Sequence, residues 1–245
     1  MIASLAPLFT GPFAGLEDRL LSAEAAPPDT VTAAELFTTA GLDAVLARGA
    51  ALYPAGDRRA LLSLWSRYYF GAVIYLPVAA NLVLGRALPL ALDDLGVVLA
   101  ETGEVTQLVL AHDGEPVRQR RAPERFAALL DDNLAPAIAA MAPHVRLSPR
   151  VLWSNAGHYF HYLSEALASM PGLPEDVHQL AGFMRQRHLP DGRRNPLFEP
   201  VREVADAEGL PHMLRRLCCI QFRLEGLGYC DNCPLIIRAG AAGAT

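Results

Sequence analysis

Apolar positions recur with helical spacing over most of the chain and alternate as in a strand over one central stretch. Thr32 can cap a helix from Ala33, and Glu35 completes a capping box with it. Asp57 can cap a long apolar helix that runs to about Leu84. The pattern therefore predicts a helix-dominated protein with one long central helix.

The centre of this long helix carries no formal charge from Tyr68 to Gly85, so it reaches the lower length limit of a membrane span. Pro77 predicts an interruption or kink there, and Gly85 predicts the end of the helix. Because Pro77, Asn81 and the tyrosines of this stretch are poor choices for a lone span, we expect a helix buried in a protein core.

The strand pattern lies in the middle of the chain. Gly96–Leu99 and Val105–Leu110 are rich in β-branched and apolar residues, and Glu101–Glu104 between them has the composition of a hairpin turn. This predicts two or three antiparallel strands. Three more helices are expected afterwards, at about Pro123–Met141, Ser148–Met170 and Pro174–Arg187. The predicted fold class is α+β, helix-dominated with a small antiparallel β-sheet.

A polar loop rich in proline and glycine, Leu189–Phe198, separates the helical part from a C-terminal tail. No linker in the chain is long enough to force a domain boundary, but the change of pattern near Pro190 makes a subdivision there reasonable. We therefore expect a helical and β domain over residues 1–189 and a small C-terminal unit over 190–245.

Composition narrows the class of protein. The 245 residues are 52% hydrophobic with a net charge of -5, and the longest basic run is Arg118–Arg121, which argues against nucleic-acid binding. The chain has no lysine, so Schiff-base and P-loop lysine chemistry are excluded.

Two common sequence signals are not found. The first residues lack the pattern of a secretory signal, and Gly226–Gly228 does not join a strand to a helix as in nucleotide-binding loops. We expect a cytoplasmic protein without its own flavin or nicotinamide site.

The candidate chemistry lies in the tail, which holds all four cysteines: Cys218, Cys219, Cys230 and Cys233. Four thiolates are the ligand set of an iron–sulfur cluster or of a structural zinc. Disulfides are disfavoured, because adjacent cysteines bridge each other only with backbone distortion. Zinc sites usually have two short cysteine knuckles, whereas one pair here is directly adjacent. An iron–sulfur cluster is favoured, with zinc as the alternative.

Three arginines flank the cysteines: Arg215 and Arg216 precede the first pair, and Arg223 follows it. Positive charge near cluster sulfurs stabilises the reduced form, so these arginines are candidates for tuning the redox centre. The alternative is that they only solvate the surface.

The pattern Cys-Cys-x10-Cys-x2-Cys, preceded by Arg215-Arg216 and, some twenty residues earlier, by Asn195-Pro196-Leu197-Phe198, resembles the FhuF-type ferric-siderophore reductases. This resemblance is specific over about forty C-terminal residues, and Trp153-Ser154-Asn155 is similar to the central part of that family. All four cysteine positions agree with the family pattern. The resemblance implies that Cys218, Cys219, Cys230 and Cys233 ligate a 2Fe–2S cluster in a C-terminal cluster lobe.

The same resemblance implies an activity, namely one-electron reduction of Fe³⁺ held by a hydroxamate siderophore in the cytoplasm. Oxygen donors hold Fe³⁺ far more tightly than Fe²⁺, so reduction releases the iron. Because the sequence shows no flavin or nicotinamide site, we expect a separate protein to supply the electrons. This donor would be a ferredoxin or a flavin or NAD(P)H reductase. We expect a monomer, associated with the inner membrane at most peripherally.

Further site residues are less sharply indicated. The histidines at positions 158, 161, 178 and 188 are expected to be packed or solvated, because no carboxylate at helical spacing completes a metal set. Aromatic and guanidinium groups could contact the siderophore. The residues expected on that face are Trp153, Asn155, His158, Arg193, Arg194 and Asn195.

Two other functions remain open from the sequence. One is a zinc-stabilised, non-catalytic module that binds siderophores, and the other is a general 2Fe–2S electron carrier without a chelate site. The identity of the metal separates the first from a reductase, and binding of ferric siderophores separates the second.

Overall fold

Helices dominate the computed structural model, which describes residues 2–118, 121–205 and 209–236. They are connected by short 3-10 segments and one π-helical turn, and together they confirm the predicted α+β class. The α-helices are α1 (Ala33–Leu36), α2 (Thr39–Leu52), α3 (Arg58–Val83), α4 (Ala127–Leu129), α5 (Ala135–His144), α6 (Pro149–Ala168) and α7 (Gln179–Arg185).

The predicted capping box is present at the start of α1. The Thr32 hydroxyl accepts a hydrogen bond from the Glu35 backbone N–H, and the Glu35 carboxylate accepts one from the Thr32 N–H. The helix ends after one turn, because Thr38 starts a new helix by accepting from the Gly41 N–H at 3.1 Å. Sequence reasoning located the start of this region correctly but not the break within it.

Helix α3 is the central element of the core. Asp57 caps it as predicted, accepting from the Arg59 N–H at 2.9 Å, and Gly85 follows it with a φ of +62°. The helix continues through Pro77, so the predicted interruption there is wrong. Most of its side chains are buried, and its main partner is α6. Among the helices of the described ranges, none is long and apolar enough to cross a membrane.

The main sheet has four strands in the order β1-β5-β4-β2. Strands β4 and β5 form the predicted antiparallel hairpin, whose turn is closed by a hydrogen bond from the Ala100 N–H to the Glu104 carbonyl. The sequence did not predict β1, which pairs parallel to β5. The strands of this sheet are β1 (Leu20–Ser22), β2 (Val31–Thr32), β4 (Leu95–Leu99) and β5 (Val105–Leu110), while β3 (Arg86–Ala87) pairs with β6 (Glu115–Pro116).

The single helix predicted over Pro123–Met141 is divided in the structure. A π-helical turn, Leu130–Leu134, separates α4 from α5. Its Asn133 is fully buried, donates to the Leu90 carbonyl at 2.6 Å and accepts from the Tyr69 hydroxyl at 3.0 Å. These two bonds tie the turn to α3 and to the segment before β4.

A hairpin that the sequence did not predict, β7 (Val201–Ala205) with β8 (Pro211–Arg215), follows the polar loop. Its strands are largely exposed and lack a clear alternation of apolar and polar residues, which explains why periodicity missed them. The hairpin ends at Arg215, directly before the cysteines.

We predict that Tyr69→Phe lowers the free energy of unfolding by about 1–2 kcal/mol, because the buried Asn133 oxygen would lose its hydrogen-bond donor. Chemical denaturation measures this change. Tyr162→Phe is the matched control, since Tyr162 is 61% exposed, and it should change stability by less than about 0.5 kcal/mol. Equal effects of the two substitutions would contradict the role of the buried bond.

Candidate metal centre

The cysteine segment is folded into a compact loop by its own backbone. Ile220 adopts a left-handed conformation with a φ of +57°, and its N–H donates to the Cys218 sulfur at 3.3 Å. A short 3-10 turn, Gln221–Arg223, follows, and at the other end the Cys233 N–H bonds to the Cys230 carbonyl at 2.9 Å. The chain reversal at Ile220 allows the two halves of the motif to face each other.

The four sulfurs lie in two close pairs. The Cys218 and Cys233 sulfurs are 3.8 Å apart, and the Cys219 and Cys230 sulfurs are 3.9 Å apart. None of the four forms a disulfide. Cys219 and Cys233 are buried, whereas Cys218 and Cys230 are partly exposed. Each pair therefore combines one buried and one partly exposed sulfur.

The spacing within each pair is that of two ligands on one metal ion. Two thiolates bound to one tetrahedral metal through bonds of about 2.3 Å lie roughly 3.8 Å apart, which both pairs match. A 2Fe–2S cluster needs two thiolates at each iron, and the donor set provides them.

The crowded thiols differ in acidity. Hydrogen bonds from Cys218 and Cys230, together with the Arg215 charge, lower the pKa of Cys219. Hydrogen bonding to Cys219 and partial burial raise the pKa of Cys218 and of Cys230. Metal binding requires deprotonated thiols, so a metal would replace protons that this cluster of sulfurs holds.

A buried guanidinium lies beside the cysteines. Arg215 is 1% exposed, and its backbone N–H donates to the Asn232 carbonyl within the Cys230–Cys233 knuckle at 2.9 Å. Its side chain donates to the Asn155 oxygen, while its Nε has no hydrogen-bond partner. No carboxylate among the described residues forms an ion pair with it, and the nearby charges that act on it include Cys219, Cys230 and Cys218. An anionic cluster would supply the missing counter-charge.

Helices α3 and α6 support the same loop through a buried polar network. The Asn155 amide of α6 donates to the Ser63 and Ser66 hydroxyls of α3 at 3.1 and 2.9 Å. Ser63 in turn donates to the Cys219 carbonyl at 2.7 Å. Sequence reasoning missed the two serines, although polar residues spaced i, i+3 on an otherwise apolar helix face could have indicated them.

His158 of α6 also contacts the cysteine segment. Burial and the charges of Arg215 and Arg67 lower its pKa to about 4, so the imidazole is neutral at pH 7. Its Nδ1 accepts from the Asn232 amide at 3.1 Å, which leaves the proton on Nε2. His158 therefore helps to position the cysteine knuckle, and within the described ranges it belongs to no group of metal ligands.

The other two flanking arginines make contacts away from the sulfurs. Arg216 is exposed, pairs with Glu199 and lies over the Phe198 ring. Arg223 forms an ion pair with Asp57, the cap of α3, at 2.9 Å. Of the three arginines selected from the sequence, only Arg215 is buried beside the cysteines.

The six residues predicted for the siderophore face lie in three different places in the structure. Trp153, Arg193 and Arg194 line one cavity of about 310 Å³, together with residues of α4 and of the polar loop. Asn195 is buried and donates to the Phe183 and Gln186 carbonyls, so it holds the loop in place. The remaining two predicted residues, Asn155 and His158, lie at the cysteine segment instead.

Comparison with known protein families gives two matches within the chain. The family described as "Ferric iron reductase FhuF-like transporter" matches residues 63–210, and "FhuF 2Fe-2S C-terminal domain" matches residues 215–235. The "Ferric siderophore reductase" of Escherichia coli (strain K12) is 24% identical over 180 residues, which are 73% of this chain and 67% of the relative. Since the first match covers more than half of the chain, the chain belongs to the FhuF-like family of ferric iron reductases, oxidoreductases with a C-terminal 2Fe–2S cluster.

Proposed function

We propose that this chain reduces the Fe³⁺ of hydroxamate siderophores by one electron in the cytoplasm, so that the iron is released as Fe²⁺. The observation that carries the proposal is the pairing of four cysteine sulfurs beside a buried, unpaired guanidinium, inside the segment matched by the 2Fe–2S domain. The relative named as a ferric siderophore reductase supports the substrate class.

In this proposal Cys218 and Cys233 ligate one iron, and Cys219 and Cys230 ligate the other. The bound cluster supplies one electron at a time. Reduction of the substrate is Fe³⁺ plus one electron to Fe²⁺, with no bond of the siderophore broken, and the electron comes from an external ferredoxin or flavin or NAD(P)H reductase. We also propose that the cluster-binding unit lies in the C-terminal segment 190–245 and that residues 1–189 form a separate, larger domain.

The protein contributes charge, burial and rigidity. The Arg215 guanidinium partly offsets the negative charge of four thiolates and their metal centre, and it favours the more negative, reduced state. Asn155 and the α3 serines hold that guanidinium and the Cys219 carbonyl in place. Proton transfer by a side chain is not required for the reduction.

We predict that the anaerobically purified protein contains about two irons and two sulfides per chain and that Cys230→Ser and Cys233→Ser each lose the cluster and the reductase activity. Each substitution removes one of the two thiolates at one metal position. Visible absorption, EPR of the reduced protein, and iron, sulfide and zinc analysis measure the outcome. The bands should bleach with dithionite and recover on addition of a ferric hydroxamate.

His178→Ala is the control for this experiment, because His178 is exposed and distant in sequence from the cysteines. It should retain both cluster and activity. A colourless wild-type protein that holds one zinc after anaerobic reconstitution would refute the proposal. A cluster that bleaches but is not reoxidised by any ferric siderophore would leave a general electron carrier.

We predict that Arg215→Gln lowers the reduction potential of the centre by about 50 mV or more, because the reduced state loses a buried positive charge nearby. Arg215→Lys, which keeps the charge, should shift the potential less. Redox titration followed by EPR measures both variants. The matched control is Arg216→Gln, since Arg216 is exposed and paired with Glu199, and an equal shift in that control would show that the buried charge has no special role.

A further inference from the structure

A second cavity, of about 260 Å³, is connected to the cysteine loop through one of its wall residues, Arg67. Its walls come from α3, α6, β5 and the segment leading into β1. Three tyrosines and two arginines give it an aromatic and basic lining. These residues are Arg19, Arg67, Tyr68, Tyr75 and Tyr159.

Arg67 connects this cavity to the cysteines. Its Nη1 donates to the Gln221 side-chain oxygen, and the same oxygen accepts a hydrogen bond from the Cys219 sulfur at 3.6 Å. Gln221 is therefore the single residue between Arg67 in the cavity wall and the buried Cys219. Neither this cavity nor the one lined by Trp153, Arg193 and Arg194 has a lining residue from the cysteine loop, but Arg67 gives this one a direct hydrogen bond to that loop.

The charge of Arg67 is incompletely satisfied by the protein. Its Nε is buried without a hydrogen-bond partner, and in the described ranges no carboxylate pairs with it. The Tyr159 hydroxyl, whose pKa is raised by burial, is hydrogen-bonded to the same guanidinium. A buried donor without an acceptor costs free energy, and a ligand oxygen in the cavity would remove that cost.

The shape of the cavity depends on a glycine of α3. A Cβ at Gly71 would lie 3.1 Å from the Tyr159 ring, so the absence of a side chain allows that ring to pack against the helix. Tyr68 is 36% exposed and Arg19 is exposed, so the rim of the cavity reaches solvent. The cavity is thus open at one side and leads inward to Arg67.

We propose that this cavity is the substrate site and that it takes the iron-bearing end of a ferric chelate with hydroxamate-type oxygen donors. The inference rests on the proposed function and adds to it the place of binding. Arg67 and Tyr159 donate to chelate oxygens, while the rings of Tyr68 and Tyr75 pack against the alkyl arms. A volume of 260 Å³ is small for a whole siderophore, so the remainder of the ligand extends past the exposed rim.

The test fills each cavity with one tryptophan. Ala72→Trp blocks the proposed site without touching the cysteine loop. Ala127→Trp is the matched control in the 310 Å³ cavity lined by Trp153, Arg193 and Arg194. The probe is the gallium(III) complex of desferrioxamine, a redox-inert stand-in for the ferric complex, titrated into cluster-loaded protein by calorimetry. We expect Ala72→Trp to weaken binding at least about tenfold and to raise KM for the ferric complex, with an unchanged EPR spectrum.

Three other results would overturn the inference. If Ala127→Trp weakens gallium-chelate binding and Ala72→Trp does not, the substrate site is the cavity lined by Trp153, Arg193 and Arg194. The proposed reductase function would be unaffected by that result. If neither variant weakens binding, neither cavity is the site. If the wild-type protein neither binds the gallium complex nor reduces the ferric complex, the proposed function itself is wrong.

A second variant tests the same cavity independently, so that the inference can be checked even if Ala72→Trp does not fold. The double substitution Arg19→Ala with Tyr68→Ala changes only exposed rim residues, so the core should remain intact. We expect it to weaken gallium-chelate binding at least about threefold, with dithionite reduction of the cluster unchanged. Wild-type affinity in this double variant would contradict the proposed rim.

Discussion

The architecture around the cysteines depends on one buried positive charge. Removing a guanidinium from water is costly, and Arg215 has no carboxylate partner among the described residues to offset that cost. Its side chain instead relies on the Asn155 amide and on the nearby sulfurs. An anionic centre beside it would offset that cost, and four thiolates with bound iron would supply one. In the proposed arrangement, binding of the cluster and burial of Arg215 stabilise each other.

This dependence extends from the cysteine loop into the core. Asn155 can orient Arg215 only because its own amide is held by Ser63 and Ser66, and Ser63 also bonds to the Cys219 carbonyl. The contact between α3 and α6 thus holds both the Arg215 guanidinium and the backbone at Cys219 in place. The β7–β8 hairpin delivers Arg215 to this position from the other side. Helices α3 and α6 consequently form part of the immediate surroundings of the cysteines.

The sequence predicted those features that are local. Caps at Thr32 and Asp57, the β4–β5 hairpin and the cysteine motif all depend on residues close together in the chain, and all four are present. Features set by distant partners were missed. The π-helical turn places Asn133 between Tyr69 and Leu90, more than forty residues away, and the exposed β7–β8 hairpin has no periodic pattern. Likewise, the sequence indicated three arginines near the cysteines. Only the tertiary structure shows that Arg215 is buried, whereas the other two form ion pairs with Glu199 and Asp57.

Two features of the cysteine loop bear on electron flow. Cys219 is buried and contacts Gln221, which leads through Arg67 to the tyrosine-lined cavity. The exposed rings of Phe222 and Tyr229 lie 5.2 Å apart in the segment between Cys219 and Cys230, and neither ring lines that cavity. A reductase must receive an electron from one partner and pass it to another, and simultaneous access to one edge would force the two to compete. If the chelate binds in the proposed cavity, the Phe222 and Tyr229 rings are left outside that site, and a donor that contacts these rings would not compete with the chelate for it.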